Sequence, residues 1–251
     1  MIAPDYHTPT HPTYCSPHRP RITPHSRPEP SHASSVYMSP PPTSSSFLTR
    51  SLAPARLLIA HPIAAAISIS CFLATGLIMY FAQGRVAYCA CRRLNLWSGN
   101  VWSSHCSQHV LDPYSFTHFS HGLILYFFFS LLAPYISRPS HPARFAATLV
   151  VAAAWEILEN SPFIINRYRT ATMSLDYLGD SVTNALGDIL CAALGYLAAH
   201  RLGLRNTTIL FILIELLLLI LIRDNLTTNI IMLIHPIDAL KTWQSAGHAP
   251  A

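Results

Sequence analysis

Apolar residues run along this chain in long blocks rather than in alternation. Residues 57–82 are apolar apart from His61, Ser68, Ser70 and Thr75, longer than the roughly 20 residues that cross a hydrocarbon core. Further blocks follow at 118–136, 143–161, 180–200 and 205–222, with connections as short as Leu202-Gly203-Leu204. Short connections make sequential neighbours antiparallel. The pattern predicts an all-α fold, a polytopic transmembrane helical bundle of about five spans over residues 53–251. The first block reads as a signal anchor; a cleavable signal peptide would have an apolar region of about 7–15 residues and a small-residue cleavage site. A last apolar stretch, Asn229 to Trp243, is interrupted by Pro236 and Asp238 and reads as an interfacial helix.

Composition agrees with this pattern. Of 251 residues 51% are hydrophobic and 11% charged, against about a quarter charged in soluble domains, so the chain has too few charges to cover a water-facing globule and its main partner is the lipid bilayer. Residues 1–52 differ in kind: they are crowded with Pro, Ser, Thr and His and read as a disordered tail, or as sequence upstream of a mis-assigned start. The formal charge of +5 comes without a basic run or a nucleic-acid motif, so nucleic acid is excluded as a partner. The arginines flank the apolar blocks, and their distribution favours a cytoplasmic N-terminus in a bacterial inner (plasma) membrane. On that orientation the segments from Gln83 to Thr117 and from Pro162 to Gly179 share the outer face.

Acids inside the spans are the next signal, because a charge at mid-membrane costs about 2.5–3.5 kcal/mol on insertion scales and marks a functional candidate. Glu156 and Glu159 stand three apart, on one helical face. Their mutual repulsion and burial make them candidates for proton or cation binding and for acid–base work; the alternative is that they reach the interface and pair with Arg167 or Arg169. Asp180, Asn184 and Asp188 repeat every four residues beside a small-residue stripe of Gly187, Cys191, Gly195 and Ala199, which suits close helix packing. Glu156, Glu159, Asp180 and Asp188 are therefore the catalytic candidates. Arg167, Arg169 and Asp176, with Asn184, Arg223, Asp224 and Asn225, are the candidate substrate-binding groups, able to clamp a phosphate or hold a cation. Glu215, alone in an aliphatic block, needs an internal partner.

His118 and His121 share a face, with His109 and Asp112 just before them; the set is a candidate metal site, although its spacing matches no strong zinc signature and histidines at an interface are more often hydrogen-bonded helix starters. Cys89, Cys91 and Cys106 allow a disulfide if their face is oxidising. No nucleotide loop, nucleophile elbow, kinase signature or metalloprotease pair occurs, and no motif assigns a cofactor.

The runs Trp155-Glu156-Ile157-Leu158-Glu159-Asn160-Ser161-Pro162, Ile165-Asn166-Arg167-Tyr168-Arg169, Ser174-Leu175-Asp176-Tyr177 and Arg223-Asp224-Asn225-Leu226-Thr227 resemble an alphaproteobacterial inner-membrane protein family, domain of unknown function 2585 (UPF0314). The likeness covers about residues 84–245 and implies a plasma-membrane protein without implying an activity. Where the family pattern has Cys-x-Cys-Gly, Glu-Asn-Ser-Gln-His and Asp-Trp-Tyr, this chain has Arg92, His105-Cys106-Ser107-Gln108-His109 and Asp112-Pro113-Tyr114, which weakens any role for His105 and Cys106. His121, Glu156, Arg167 or Arg169, Asp180, Asn184 and Gly187 also resemble, more faintly, the order of polar residues in VanZ-like membrane proteins.

Three functions fit. The first is binding or modification of an envelope lipid or polar headgroup through the intramembrane acids. The second is a membrane scaffold whose polar network fixes helix packing. The third is a small proton-coupled transporter with Glu156, Asp188 and Glu215 along its path.

Overall fold

The computed structural model describes residues 61–135, 139–174 and 176–246; the expected tail at 1–52 lies outside the described residues. Among the described residues are seven α-helices and no strand, only an isolated bridge between Trp97 and Leu111. Helix α1, Pro62–Leu77, starts on a proline whose missing N–H costs nothing in the first turn, and it runs on into a π turn at Ile78–Ala82. Helix α2 is Ser115–Leu132 and α3 is His141–Glu159, the latter capped by Ser140. The chain then bends by 70° into α4, Pro162–Ala171. Pro162 causes the bend: the residue before a proline is pushed out of the helical region, and Ser161 is extended at ψ 150° and caps the new helix.

Helix α5, Val182–Ile222, holds the fourth and fifth apolar blocks in one element of 41 residues, interrupted at Gly203 with φ 71° and ψ 173°, a conformation that glycine adopts readily. A straight helix of that length would measure about 60 Å. Yet Ser115 Oγ bonds Asp188 near one end, and the Tyr114 hydroxyl bonds Asp224 just past the other. Leu123 also packs with Ala199, Ile214 and Leu218 in one cluster. The two arms, 182–202 and 204–222, therefore fold back on each other at Gly203. Two short helices follow, α6 at Leu226–Ile234 and α7 at Asp238–Ser245, parted around Pro236.

By length and composition three of these helices can cross a membrane, Pro62–Ala82, Ser115–Leu132 and Val182–Ile222, or four if the bent pair α3–α4 counts as one. About five are expected from the blocks; the difference arises because the last two are joined and the third, α3, counts only together with α4 across the bend at Pro162. The outer surface is apolar, with Leu73, Phe128, Leu190, Leu213, Ile220 and Leu221 exposed, while Glu156, Asn184, Asp188 and Thr207 are buried. This arrangement inverts that of a water-soluble domain and fits a membrane-embedded protein.

Small residues set the packing of α2 on α5. A Cβ on Gly122 would strike the Ala192 carbonyl, and one on Gly195 the Phe119 carbonyl. Glycines there let the backbones approach closely, and this brings the start of α2 against Asp188.

Candidate functional site

The ends of α1, α3 and both arms of α5 meet the start of α2 at one end of the bundle. Gln83 Nε2 donates to the Ile157 carbonyl (2.7 Å), and the Val182 amide donates to Val86 O (2.9 Å). There a partly open cavity of about 1020 Å³ has a wall that includes His118, His121, Glu159, Tyr168, Asp180 and Asp188.

Asp112 starts α2 by accepting from the Ser107 and Tyr114 amides (2.8 and 2.7 Å). Burial pushes its carboxyl above the ordinary range, partly countered by these donors. Ser115 accepts from the Asp112 amide and donates to Asp188 Oδ1 at 2.7 Å. One turn on, His118 stands between two acids: its Nδ1 is 3.0 Å from Glu156 Oε1 and its Nε2 is 3.9 Å from Asp188 Oδ2. The approach to Glu156 is close but poorly aligned, so neither oxygen of Glu156 has a hydrogen-bond partner in a site with no exposure. The His121 ring lies near perpendicular to those of His118 and Trp155, with centroids 5.2 and 6.0 Å apart.

Glu159 Oε1 accepts from the Tyr168 hydroxyl (2.8 Å), whereas its Oε2 is unmatched. Asp180 is held on every side: Tyr177 OH donates to Oδ1 (2.9 Å), Asn160 Nδ2 donates to Oδ2 (2.7 Å), the Asp180 amide returns a bond to Asn160 Oδ1 (2.6 Å), and Arg85 Nε donates to its carbonyl (2.9 Å). The Tyr177 hydroxyl is pushed up by burial and by Asp180. Asn184 is buried with both side-chain atoms unpartnered. The expected acids Glu156, Glu159, Asp180 and Asp188 are thus brought together, Glu156 behind His118, and Asp176 sits at the cavity wall. Glu156 and Glu159 are buried rather than turned to the interface. The ligand atoms of His118, Glu156 and Glu159 lie within 4.8 Å of one another, close enough to hold a cation.

Other expected groups go elsewhere. Arg167 donates to the carbonyls of Leu233 (2.7 Å) and Ile234 (3.3 Å) at the end of α6, Arg169 lies in the last turn of α4, and neither lines the cavity. The set His109, Asp112, His118 and His121 is divided: His109 turns away to stack on His105. Cys106 faces Asp112 at 3.8 Å, its thiol pushed up by burial, apart from Cys89 and Cys91; all three are free thiols.

At the end of α5 a second polar knot forms. Glu215 accepts from the Leu226 amide (3.2 Å), the Thr227 amide (2.9 Å) and the Thr227 hydroxyl (2.6 Å), a carboxylate at the positive end of α6. Asp224 accepts from Tyr114, Thr228, Gln244 and the Asn225 amide; burial still pushes it up to about 6. Asn225 caps α6 in a capping box with Thr228. Arg223 donates to Trp243 O (3.0 Å) and covers its ring.

Sequence reasoning missed Ser115, Trp155, Asn160, Tyr168 and Tyr177. Asn160 carried a signal, since it lies four residues after Glu156 and thus on its face; the tyrosines carried none beyond polar aromatics next to a span.

The fold and site define an all-helical protein with an apolar exterior and an acid- and histidine-lined interior cavity. The family model described as "Protein of unknown function (DUF2585)" matches residues 80–246, and the chain belongs to that family. Among its relatives are UPF0314 proteins of Brucella anthropi, 44% identical over 167 residues covering 66% of this chain and 83% of the relative, and of Rhizobium meliloti, 43% over 173 residues covering 69% and 86%. A UPF0314 protein of Paracoccus denitrificans is 45% identical over 163 residues covering 65% and 83%. No solved structure matches the chain. The matched span contains every cavity residue named above.

Proposed function

We propose that this is a multi-pass protein of the bacterial plasma membrane that binds or modifies the polar headgroup of an envelope lipid in the cavity beside His118. The observation that carries the reading is the set of unmatched carboxylate oxygens, both of Glu156 and one of Glu159, around a histidine that also faces Asp188. Buried polar atoms are almost always satisfied, so such a cluster is built to receive a cation, a water or a donor from a ligand. An imidazole between two acids can take a proton from a hydroxyl or amine and pass it on, which is general acid–base chemistry. With Arg167 and Arg223 bound to carbonyls away from the cavity and Arg85 at its wall held on the Asp180 carbonyl, the acids around His118 favour a cationic or hydroxyl-bearing group.

The same reading takes residues 53–251 as one membrane domain crossing five times, with the N-terminus cytoplasmic. Alternation of ends supports the five crossings, and the arginine distribution the orientation. The segments 83–114, 160–174, 176–181 and 223–225 gather at the cavity end, whereas His141 meets Tyr196 and His200 at the other, near the Gly203 reversal.

The test is a deletion strain carrying wild type, Glu156→Gln or Glu159→Gln, scored for membrane protein level by blot and for sensitivity to detergent and cell-wall antibiotics. Normal level with lost resistance is expected. A collapse of level in both variants sinks the reading and favours the scaffold, for which the closed network around Asp180 speaks. The transporter reading loses one of its three groups, because Glu215 is bound to the start of α6.

A further inference from the structure

Between α1 and α2 the chain makes a loop whose two halves bring together four side chains that the cavity does not use as acids or bases. In the first half, the Arg92 amide bonds the Cys89 carbonyl (3.0 Å) and Arg92 takes a left-handed φ of 61°. This tight turn returns Cys91 toward Cys89, and the Cys91 amide donates to Cys89 Sγ at 3.4 Å. In the second half, the Gln108 amide bonds His105 O (3.2 Å) and Ser107 turns at φ 61°. His105 and His109 are thereby stacked, with ring centroids 5.4 Å apart and planes 13° apart. His105 Nδ1 reaches 3.3 Å from Cys89 Sγ, and one ligand atom from each of Cys89, Cys91, His105 and His109 lies within 4.8 Å of all the others.

We propose that Cys89, Cys91, His105 and His109 form a tetrahedral zinc site that ties the two halves of this loop together. Zinc bonds of about 2.3 Å to sulfur and 2.0–2.1 Å to nitrogen put tetrahedral ligands about 3.3–3.8 Å apart; Cys89 Sγ and His105 Nδ1 are already at 3.3 Å, and the remaining pairs close by at most about 1.5 Å. Two thiolates cancel the charge of a divalent ion, and a mixed sulfur and imidazole set selects zinc over magnesium or calcium. The amide on Cys89 Sγ is the kind of outer hydrogen bond that supports a thiolate ligand. A neutral imidazole has one free lone pair, and that of His109 takes the Asn95 amide at 3.2 Å; loading the site exchanges this bond for the metal.

The surroundings suit such a site. A cleft of about 640 Å³ reaches Cys91, His105 and His109 and gives an ion a path in. Cys89, Cys91 and His105 also belong to the wall of the acid-lined cavity, and the loop is anchored beside it by Gln108 Nε2 on Gly179 O and by the Ser181 amide on Ser107 O. Four protein ligands leave no open position, which makes the site structural rather than catalytic. Its role is to hold the loop that walls one side of the cavity.

The experiment uses the full chain purified in detergent and reduced, then loaded with zinc or with cobalt(II) as a spectroscopic stand-in. Expected are one zinc per chain by elemental mass spectrometry and, with cobalt, tetrahedral visible bands with a thiolate-to-metal charge-transfer band in the near ultraviolet. Cys91→Ser should weaken zinc binding, read by competition with a chromophoric chelator, by more than about 100-fold, since even a group that only orients a ligand is worth about 10–100-fold; His105→Asn should do likewise. Three results would overturn the proposal: reduced wild type that takes up no zinc, cobalt bound without the charge-transfer band, or unchanged affinity in Cys91→Ser. Because the cobalt spectrum is read on wild type, it decides the matter even if a variant does not fold.

Discussion

The polar cluster at His118 and the polar knot at Glu215 are made of the same kinds of residue, yet they are finished differently. Around Glu215 and Asp224, amides, hydroxyls and a carboxamide supply donors to all four carboxylate oxygens. Around His118, Glu156 has no aligned donor at all and Glu159 has one, from Tyr168. An acid in an apolar bundle becomes a structural lock when the backbone of a helix start is aimed at it, and remains open to a ligand when it is not. Acid content alone therefore does not separate a site from a joint; the count of donors does.

The largest effect that can break this comparison is on stability. Removing the Glu215 carboxylate strands the buried Leu226 amide, at about 1–3 kcal/mol, together with the amide and hydroxyl of the more exposed Thr227, so Glu215→Ala should lose about 3 kcal/mol. Glu156→Gln removes a buried carboxylate that has no aligned donor and should stay within about 1 kcal/mol of wild type. Thermal unfolding in detergent, followed by size-exclusion fluorescence, ranks the two. Equal losses would mean that the His118 cluster is also a joint.

A somewhat smaller effect probes the weak point of the knot. Asp224 is pushed up to about 6 from an ordinary 3.8, with burial as the main cause. The folded state thus holds its proton more tightly than the unfolded chain, and the stabilisation is fully present below pH 3.8 and lost as pH rises through about 6. On the order of 2–3 kcal/mol should separate about pH 4 from pH 7.5 through this group. Asp224→Asn should flatten that part of the pH–stability profile; an unchanged slope would show that Asp224 ionises in the knot without strain.

How much of this could be read beforehand follows from what each feature depends on. Apolar blocks and Gly203 gave the helices, because length and the punctuation of a helix are local properties. The stripe of Gly187, Gly195 and Ala199 announced the packing of α5, since only small residues allow such an approach. Pairing was not local: which acid meets His118, and which meets the start of α6, depends on how two helices are rotated against each other. Glu156 and Glu159 were legible as one face, but Tyr168 and Tyr177 enter from a bent helix and a loop whose course only Pro162 hints at. Likewise Arg167 and Arg169 read as headgroup clamps, since nothing in their spacing shows that α6 ends where Arg167 can cap it. His105 was set aside for departing from the family pattern, and its meeting with Cys89 depends on the fold of the loop.

Asn184 gives the smallest effect and the sharpest distinction. Its carboxamide is buried with neither donor nor acceptor, one turn before Asp188 on α5, and an unpaired buried amide costs stability instead of adding it. Asn184→Leu, close in volume, should therefore leave the melting temperature unchanged or raise it by an amount worth up to about 1 kcal/mol. If the His118 cluster is a ligand site that the Asn184 carboxamide, one turn before Asp188, serves, the same variant should lose the envelope resistance that wild type restores in the deletion strain, gaining stability as it loses function. If the network serves only to fix helix packing, the variant should instead fold poorly and its membrane level should fall. One substitution measured by blot, melt and phenotype thus opposes the two readings, because they assign Asn184 contributions of opposite sign.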